Sequence, residues 1–321
     1  MKLVTMRPLP DHVAADLRQQ DPDLELVAAH DLDTFLEQVA DADILRGSFG
    51  GGSGGVFEQV MAAAKKVRWV HTSSAGVDEI IGPHVFERDF ILTCGKGDSV
   101  ATLLAEHAFA LMLALTRGIV KSARLDSWRR EAFGRGVGEV RGLTMGIVGF
   151  GGVGQELAKR AIAFEMRVLG IRNHPRTPPN GVEAVWGPDR LPDLLAQSDV
   201  VVLILPNTPA TYRSFGEAQL RAMKSSAILI NVGRGQVMDG QAVERALVEG
   251  WIHGAGLDVM PEEPWPAGSP LWRMDNVLLT PHIAGNSPNR GSRDLEVFRQ
   301  NFGRFVRGEP LVGVFDRKES Y

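Results

Sequence analysis

GIVGFGGVG, residues 146–154, is the stretch on which the fold turns. Gly149, Gly151 and Gly154 stand in the order G-x-G-x-x-G, after an apolar run (Met145–Gly149) and before a helix-like segment (Gln155–Phe164). The spacing alone means little in a chain with 36 glycines. Between a strand and a helix it acquires a use: a tight turn, backbone that lets a pyrophosphate approach, and a helix N-terminus aimed at the anion.

Downstream the apolar runs recur as Arg167–Ile171, Val200–Leu205, Ala227–Val232, Ala255–Val259 and Val277–Thr280. Helix-like segments separate them at Leu191–Gln197, Glu217–Met223 and Gly240–Glu249. Six strands in βα alternation predict a doubly wound parallel sheet that binds a dinucleotide. Upstream a second βα series appears, with strands at Lys2–Met6, Leu24–Ala28, Ile44–Arg46, Arg68–His71 and Phe90–Thr93. Helices are expected at Pro10–Gln20 and Thr34–Ala40, and one amphipathic helix over Pro288–Gly308 returns to the first domain. The expectation is an α/β protein of two doubly wound parallel-sheet domains. A Rossmann dinucleotide-binding domain (100–285) is inserted in a smaller flavodoxin-like substrate domain (1–99, completed by 286–321). The glycine tract of GGGSGGVFEQV (50–60) lacks the Lys-Ser/Thr of a phosphate loop and reads as a plain loop leading into a helix.

Composition sets the outer bounds. With 321 residues, 44% hydrophobic, 23% charged and a net charge of -4, the chain reads as a soluble globular α/β protein. The mild acidity argues against nucleic-acid or membrane partners. Cys94 stands alone, so no intrachain disulfide forms; it reads as a small buried hydrophobe and suits a reducing, cytoplasmic setting. After Met1 the apolar run is too short for a signal peptide. ATLLAEHAFALMLALTR (101–117) carries Glu106 and His107 and is too short for a membrane span. It reads as a helix buried on most of its circumference, between domains or subunits, with both polar residues structural. No metal is expected.

The second strand of the dinucleotide domain ends in VLGIRNHPR (168–176), and Arg172 lies 18 positions past Gly154 (172 minus 154). An acidic residue that accepts from ribose hydroxyls is expected about 20 residues on. Arginine reverses the preference: its planar fork clamps a 2′-phosphate or stacks on adenine, with Asn173, His174 and Arg176 adding donors. NADP is therefore favoured over NAD, the plain alternative being an exposed basic turn.

Three later strands end in reactive groups: Arg234 in NVGRG, Glu263 in GLDVMPEEP and His282 in LLTPHIAG. Parallel strands align their C-terminal ends on one ligand-binding edge. Singly these are a turn residue, a loop charge and a structural histidine. Together they suit hydride transfer at a secondary alcohol. His282 takes or gives the hydroxyl proton, Glu263 fixes its tautomer and favours the charged imidazole, and Arg234 grips a carboxylate and a carbonyl oxygen. Asp199 and Asp258, near strand edges, read as caps or turn residues.

GIVGFGGVGQELA, LPNTPAT, NVGRGQVMD, GAGLDVMPEEP, TPHIAG and GEPLVGVFD, in this order along essentially the whole chain, resemble the D-isomer-specific 2-hydroxyacid dehydrogenases. The resemblance implies a catalytic trio of Arg234, Glu263 and His282, with Glu263 chosen over Glu262 because it precedes Pro264. It implies cofactor contacts at Gly149, Gly151, Val153, Gly154, Arg172, Asn173, Pro206, Thr208, Val232, Gly233, Asp258 and Gly285. It also implies that SSAGVD offers the Ala75 and Gly76 N–H groups to a substrate carboxylate, and that the helix Leu103–Leu115 with its following arm builds a homodimer. Three departures stand out. Arg172 replaces the acidic residue of NAD-dependent members and looks like the arginine of glyoxylate/hydroxypyruvate reductases. Pro261 stands where many members have an acidic residue, and GNSPN follows His282 where many have threonine. No regulatory domain follows residue 321, which disfavours the serine-regulated phosphoglycerate dehydrogenase form. The expected activity is reduction of a small 2-oxo acid, glyoxylate or hydroxypyruvate, with NADP(H). The alternatives are an NAD-dependent member of phosphoglycerate or D-lactate type, and a non-catalytic dinucleotide-sensing corepressor-like protein.

Overall fold

The structure, a computed structural model, describes residues 1–49, 55–97, 100–133 and 137–321. Residues 50–54 of the glycine tract lie outside the described residues, as do 134–136 of the segment after the long apolar helix. The chain divides into two compact units: Met1–Val100 with Ser287–Tyr321, and Ala101–Asn286.

In the first unit the strands are β1 (Lys2–Thr5), β2 (Glu25–Ala28), β3 (Ile44–Gly47), β4 (Trp69–Thr72) and β5 (Ile91–Cys94). They form a parallel sheet in the order β2-β1-β3-β4-β5, the flavodoxin-like winding. Both faces are covered, by a cluster around Phe35, Phe49 and Met61 and by another around Trp69, Phe298 and Phe302. Parallel strands joined by helical crossovers require this, since neither face can be left to water. The helix Asp11–Gln20 and the late helix Arg290–Val306 pack against each other, so the chain's last segment completes the unit. Buried polar groups lock that helix to the sheet. Trp69 Nε1 donates to Thr93 Oγ1 (2.8 Å), His71 Nδ1 lies 2.8 Å from the same oxygen, and His71 Nε2 lies 3.0 Å from Asp294 Oδ1. Cys94, 2% exposed, is packed as the buried hydrophobe at a strand's end.

The second unit holds seven parallel strands. These are β6 (Thr144–Val148), β7 (Arg167–Ile171), β8 (Ala184–Trp186), β9 (Val200–Leu203), β10 (Ile228–Asn231), β11 (Gly254–Leu257) and β12 (Val277–Leu279). Their order, β12-β11-β10-β9-β6-β7-β8, reverses direction between β6 and β9, the switch point at which doubly wound sheets bind ligands. β6, β9 and β10 are buried along their whole length, as sequences such as VVVL and ILIN require. The helix Ala101–Thr116 lies on one face of this sheet and turns Ala105, Ala108, Leu111 and Met112 into the core. Glu106 pairs across to Arg160, 3.6 Å away on the helix Gly152–Ala163.

The sequence predicts six strands here and the structure has a seventh, β8. Three residues show no legible alternation, and β8 is held by its pairing with β7 rather than by pattern. Asp199 does what a turn residue should: its carboxylate accepts from Thr144 N (2.9 Å) and Lys224 Nζ (2.8 Å). Among the described residues, no helix is long and apolar enough to cross a membrane.

Candidate active site

The switch point is built by the glycine turn. Gly149 sits at φ +107°, where a side chain is strained, and a Cβ there would lie 2.4 Å from the Ile204 carbonyl oxygen. Its N–H and that of Phe150 both donate to Ile171 O, at 3.1 and 2.8 Å, so the turn is closed onto the end of β7. The helix Gly152–Ala163 begins at Gly151 with no side-chain cap, and the first-turn N–H groups of any helix have no intrahelical acceptor. A Cβ on Gly151 would meet nothing within 4 Å. This open cradle of unclaimed donors at a positive helix end fits the pyrophosphate of a dinucleotide. Gly149→Ala should therefore lower the unfolding midpoint, at a cost of about 1–3 kcal/mol for the backbone strain, and weaken dinucleotide binding in fluorescence titration. A midpoint equal to wild type would show that the turn can relax.

Other residues of the expected cofactor set are distributed along the same edge. Val153 and Gly154 lie in the first turn of that helix, half-buried and buried. Pro206 and Thr208 follow β9 in a loop held by the Thr211 hydroxyl, which donates to Pro206 O (2.6 Å) and accepts from Thr208 N (2.8 Å). Arg172 and Asn173 follow directly on β7, and the Arg172 backbone N–H donates to Trp186 O (2.9 Å). Val232 is buried, and Gly233 N donates to Asn231 Oδ1 (2.9 Å). Ala75 and Gly76 belong to the other unit, half-buried in the loop after β4.

The three reactive groups stand at the ends of β10, β11 and β12, neighbours in the sheet. His282 Nδ1 is 2.8 Å from Glu263 Oε2, and the other carboxylate oxygen accepts from Met260 N at 3.1 Å. A carboxylate only accepts, so Nδ1 carries the hydrogen and Nε2 is left for a proton in transit. The side chains of His282 and Glu263 are 53% and 39% exposed, accessible to a small molecule. The loop bearing Arg234 is pressed against the one bearing Glu263: a Cβ on Gly235 would lie 1.9 Å from the Met260 carbonyl oxygen. Only glycine permits this approach. The Arg234 side chain donates back to Gly233 O (2.9 Å), and its carbonyl accepts from Asn231 Nδ2 (3.1 Å).

Asp258 is more than a turn residue. Only 2% exposed, its carboxylate accepts from Thr280 Oγ1 (2.6 Å), Ile283 N (2.9 Å) and Ala284 N (2.9 Å), with His107 Nε2 3.3 Å away. Its backbone oxygen accepts from His282 N (2.8 Å). These bonds flank His282, which takes φ +54°, left-handed backbone that non-glycine residues adopt at a cost. Gly285, half-buried, follows directly. Burial pushes the Asp258 carboxyl up, but hydrogen bonds from His107, Thr280, Ala284 and Ile283 outweigh it and hold the group below its ordinary 3.8. A depressed folded value contributes stability that is present above the unfolded pKa and lost as pH falls through the folded one. Thermal midpoints should thus fall more steeply between about pH 5 and 3 in wild type than in Asp258→Asn; parallel slopes would refute it. The sequence marks His107 as structural but not its partners, since no motif links a polar side chain inside an apolar helix to Thr280 and Asp258.

A family model described as D-isomer specific 2-hydroxyacid dehydrogenase, NAD binding domain, matches residues 109–284. A glyoxylate reductase of Korarchaeum cryptofilum (strain OPF8) is 39% identical over 284 residues, spanning 86% of this chain and 83% of the relative. A glyoxylate reductase of Pyrococcus horikoshii is 40% identical over 266 residues, spanning 78% and 77%. Among solved structures, an NADPH-dependent glyoxylate/hydroxypyruvate reductase from Sinorhizobium meliloti, in complex with NADP and sulfate, superposes with a TM-score of 0.78. It is 26% identical and covers 100% of this chain and 99% of its own.

Proposed function

Since this chain belongs to the D-isomer-specific 2-hydroxyacid dehydrogenases, enzymes acting on CH–OH groups, we propose that it reduces glyoxylate or hydroxypyruvate with NADPH. The observation that carries the reading is the 2.8 Å pair of His282 Nδ1 and Glu263 Oε2, which leaves Nε2 as the proton carrier. Arg172, placed where the glycine turn closes on β7, supports the choice of NADPH. The names of the relatives support the choice of acid.

In reduction, the imidazolium of His282 gives its Nε2 proton to the carbonyl oxygen as that oxygen becomes an alkoxide. Glu263 holds the ring through Nδ1 and offsets the positive charge before transfer. Arg234 binds the substrate carboxylate and draws on the carbonyl oxygen, so the acid is oriented and polarised by one group. A bound nicotinamide dinucleotide supplies the hydride, or accepts it in the reverse direction. Asp258 fixes the turn of His282, and the Ala75 and Gly76 N–H groups are our candidates for further carboxylate donors. We further propose a homodimer built on Leu103–Leu115 and the arm after it, where Ile119 is 54% and Trp128 99% exposed.

The test is a matrix of NADPH and NADH against a panel of 2-oxo acids. NADPH with glyoxylate or hydroxypyruvate should give the highest kcat/KM. Arg172→Asp should reduce the NADPH:NADH ratio of kcat/KM by roughly 10- to 100-fold, the worth of one hydrogen bond to a charged group. An unchanged ratio would remove Arg172 from the account, and no turnover with any acid would refute the activity.

A further inference from the structure

We infer that His107 is a positioning residue for proton transfer: through Thr280 and Asp258 it holds the turn that presents His282. This rests on the reading of His282 as the proton carrier.

His107 lies on the helix Ala101–Thr116, whose remaining inward residues are apolar. Its side chain is 19% exposed, with Nε2 2.9 Å from Thr280 Oγ1 and 3.3 Å from Asp258 Oδ1. The direction of each bond follows from counting hydrogens. Asp258 is a carboxylate and only accepts. Thr280 has a single hydroxyl hydrogen, and the 2.6 Å separation from Asp258 Oδ1 assigns it there. The lone pairs left on Thr280 Oγ1 must then receive a hydrogen from His107. So Nε2 of His107 is the protonated nitrogen, shared between the hydroxyl and the carboxylate.

The consequence reaches His282 through the backbone. Asp258 Oδ1 and Oδ2 accept from Ile283 N and Ala284 N, and the His282 N–H donates to Asp258 O. Those bonds keep His282 at φ +54°, a conformation that persists only where its surroundings over-determine it. Asp258 is 2% exposed, so water cannot replace a lost donor. Removing the imidazole leaves the carboxylate short of one donor and the Thr280 hydroxyl free to turn away. The His282 turn then gains access to relaxed conformations in which Nε2 no longer meets the substrate oxygen. Such misplacement lowers the rate of chemistry while ground-state binding persists.

The experiment uses the full chain with NADPH and its best 2-oxo acid, and compares wild type with His107→Phe, His107→Gln, Thr280→Val and His282→Ala. His107→Phe should lower kcat by about 10- to 100-fold with KM nearly unchanged. His107→Gln keeps an N–H at comparable reach and should recover most of the loss. Thr280→Val removes the hydroxyl between imidazole and carboxylate and should also lower kcat; it decides the matter if His107→Phe does not fold. Side-chain 15N spectra of the dinucleotide-free protein should show His107 in the Nε2–H form. A kcat within about twofold of wild type in Thr280→Val and in folded His107→Phe, or an Nδ1–H tautomer, overturns the inference. If His282→Ala stays active, the proton-carrier reading itself falls; if it alone is inactive, only the role of His107 falls.

Discussion

Replacing His282 by alanine is expected to lower kcat by about 10²- to 10⁴-fold, the range that a positioned proton donor supplies. The melting temperature should stay near that of wild type. The His282 side chain is 53% exposed, so its removal opens no cavity, and surface truncations of this kind shift stability by about 0.5 kcal/mol or less. Affinity for the dinucleotide should also hold, because the glycine turn and the tips of β6 and β9 are untouched. The pattern to look for is low kcat, a preserved midpoint and a preserved dinucleotide Kd. A variant that keeps kcat within about threefold of wild type would mean that water or another side chain carries the proton.

Arg234→Gln is expected to lower kcat/KM for the 2-oxo acid by roughly 10²- to 10⁴-fold, as two hydrogen bonds from a charged donor are lost at about 1.5–3 kcal/mol each. Much of the loss should appear in KM, since the carboxylate is gripped in the ground state as well as at the transition state. Arg234→Lys keeps the charge but not the planar fork, so it should fall between the two. Steady-state kinetics over a wide range of acid concentration separates the contributions. If Arg234→Gln left KM and kcat near wild type, the guanidinium would have no part in binding the acid.

How much of this was legible in the sequence depends on the kind of information each part needs. The doubly wound sheets were legible because each strand is a short apolar run bounded by helix or turn signals, and the βα rhythm leaves few topologies. The three strand-tip groups were legible because parallel strands put consecutive C-terminal ends on one edge, so order along the chain becomes adjacency in space. β8 was not legible: Ala184–Trp186 is extended because β7 offers it an edge, and that is a property of its neighbour. The role of Asp258 was not legible either. Its partners come from position 107 and from 280–284, and no short-range spacing links an interior helix residue to a loop so distant in sequence. Motifs name groups that point at ligands; groups that point at other groups need coordinates.

The edge strand β8 bears on how position 172 can change. Trp186 O takes the backbone N–H of Arg172, so the main chain at that position is fixed by a bond that every amino acid except proline can make. The residue is half-buried and follows directly on the end of β7. A position anchored by a backbone bond that survives substitution is evolvable: exchange of one residue alters the chemistry offered there while the bond to β8 is kept. If Arg172 reads the dinucleotide as proposed, a lineage trades one nicotinamide for the other by a single substitution there, and the groups at the tips of β10, β11 and β12 keep their places.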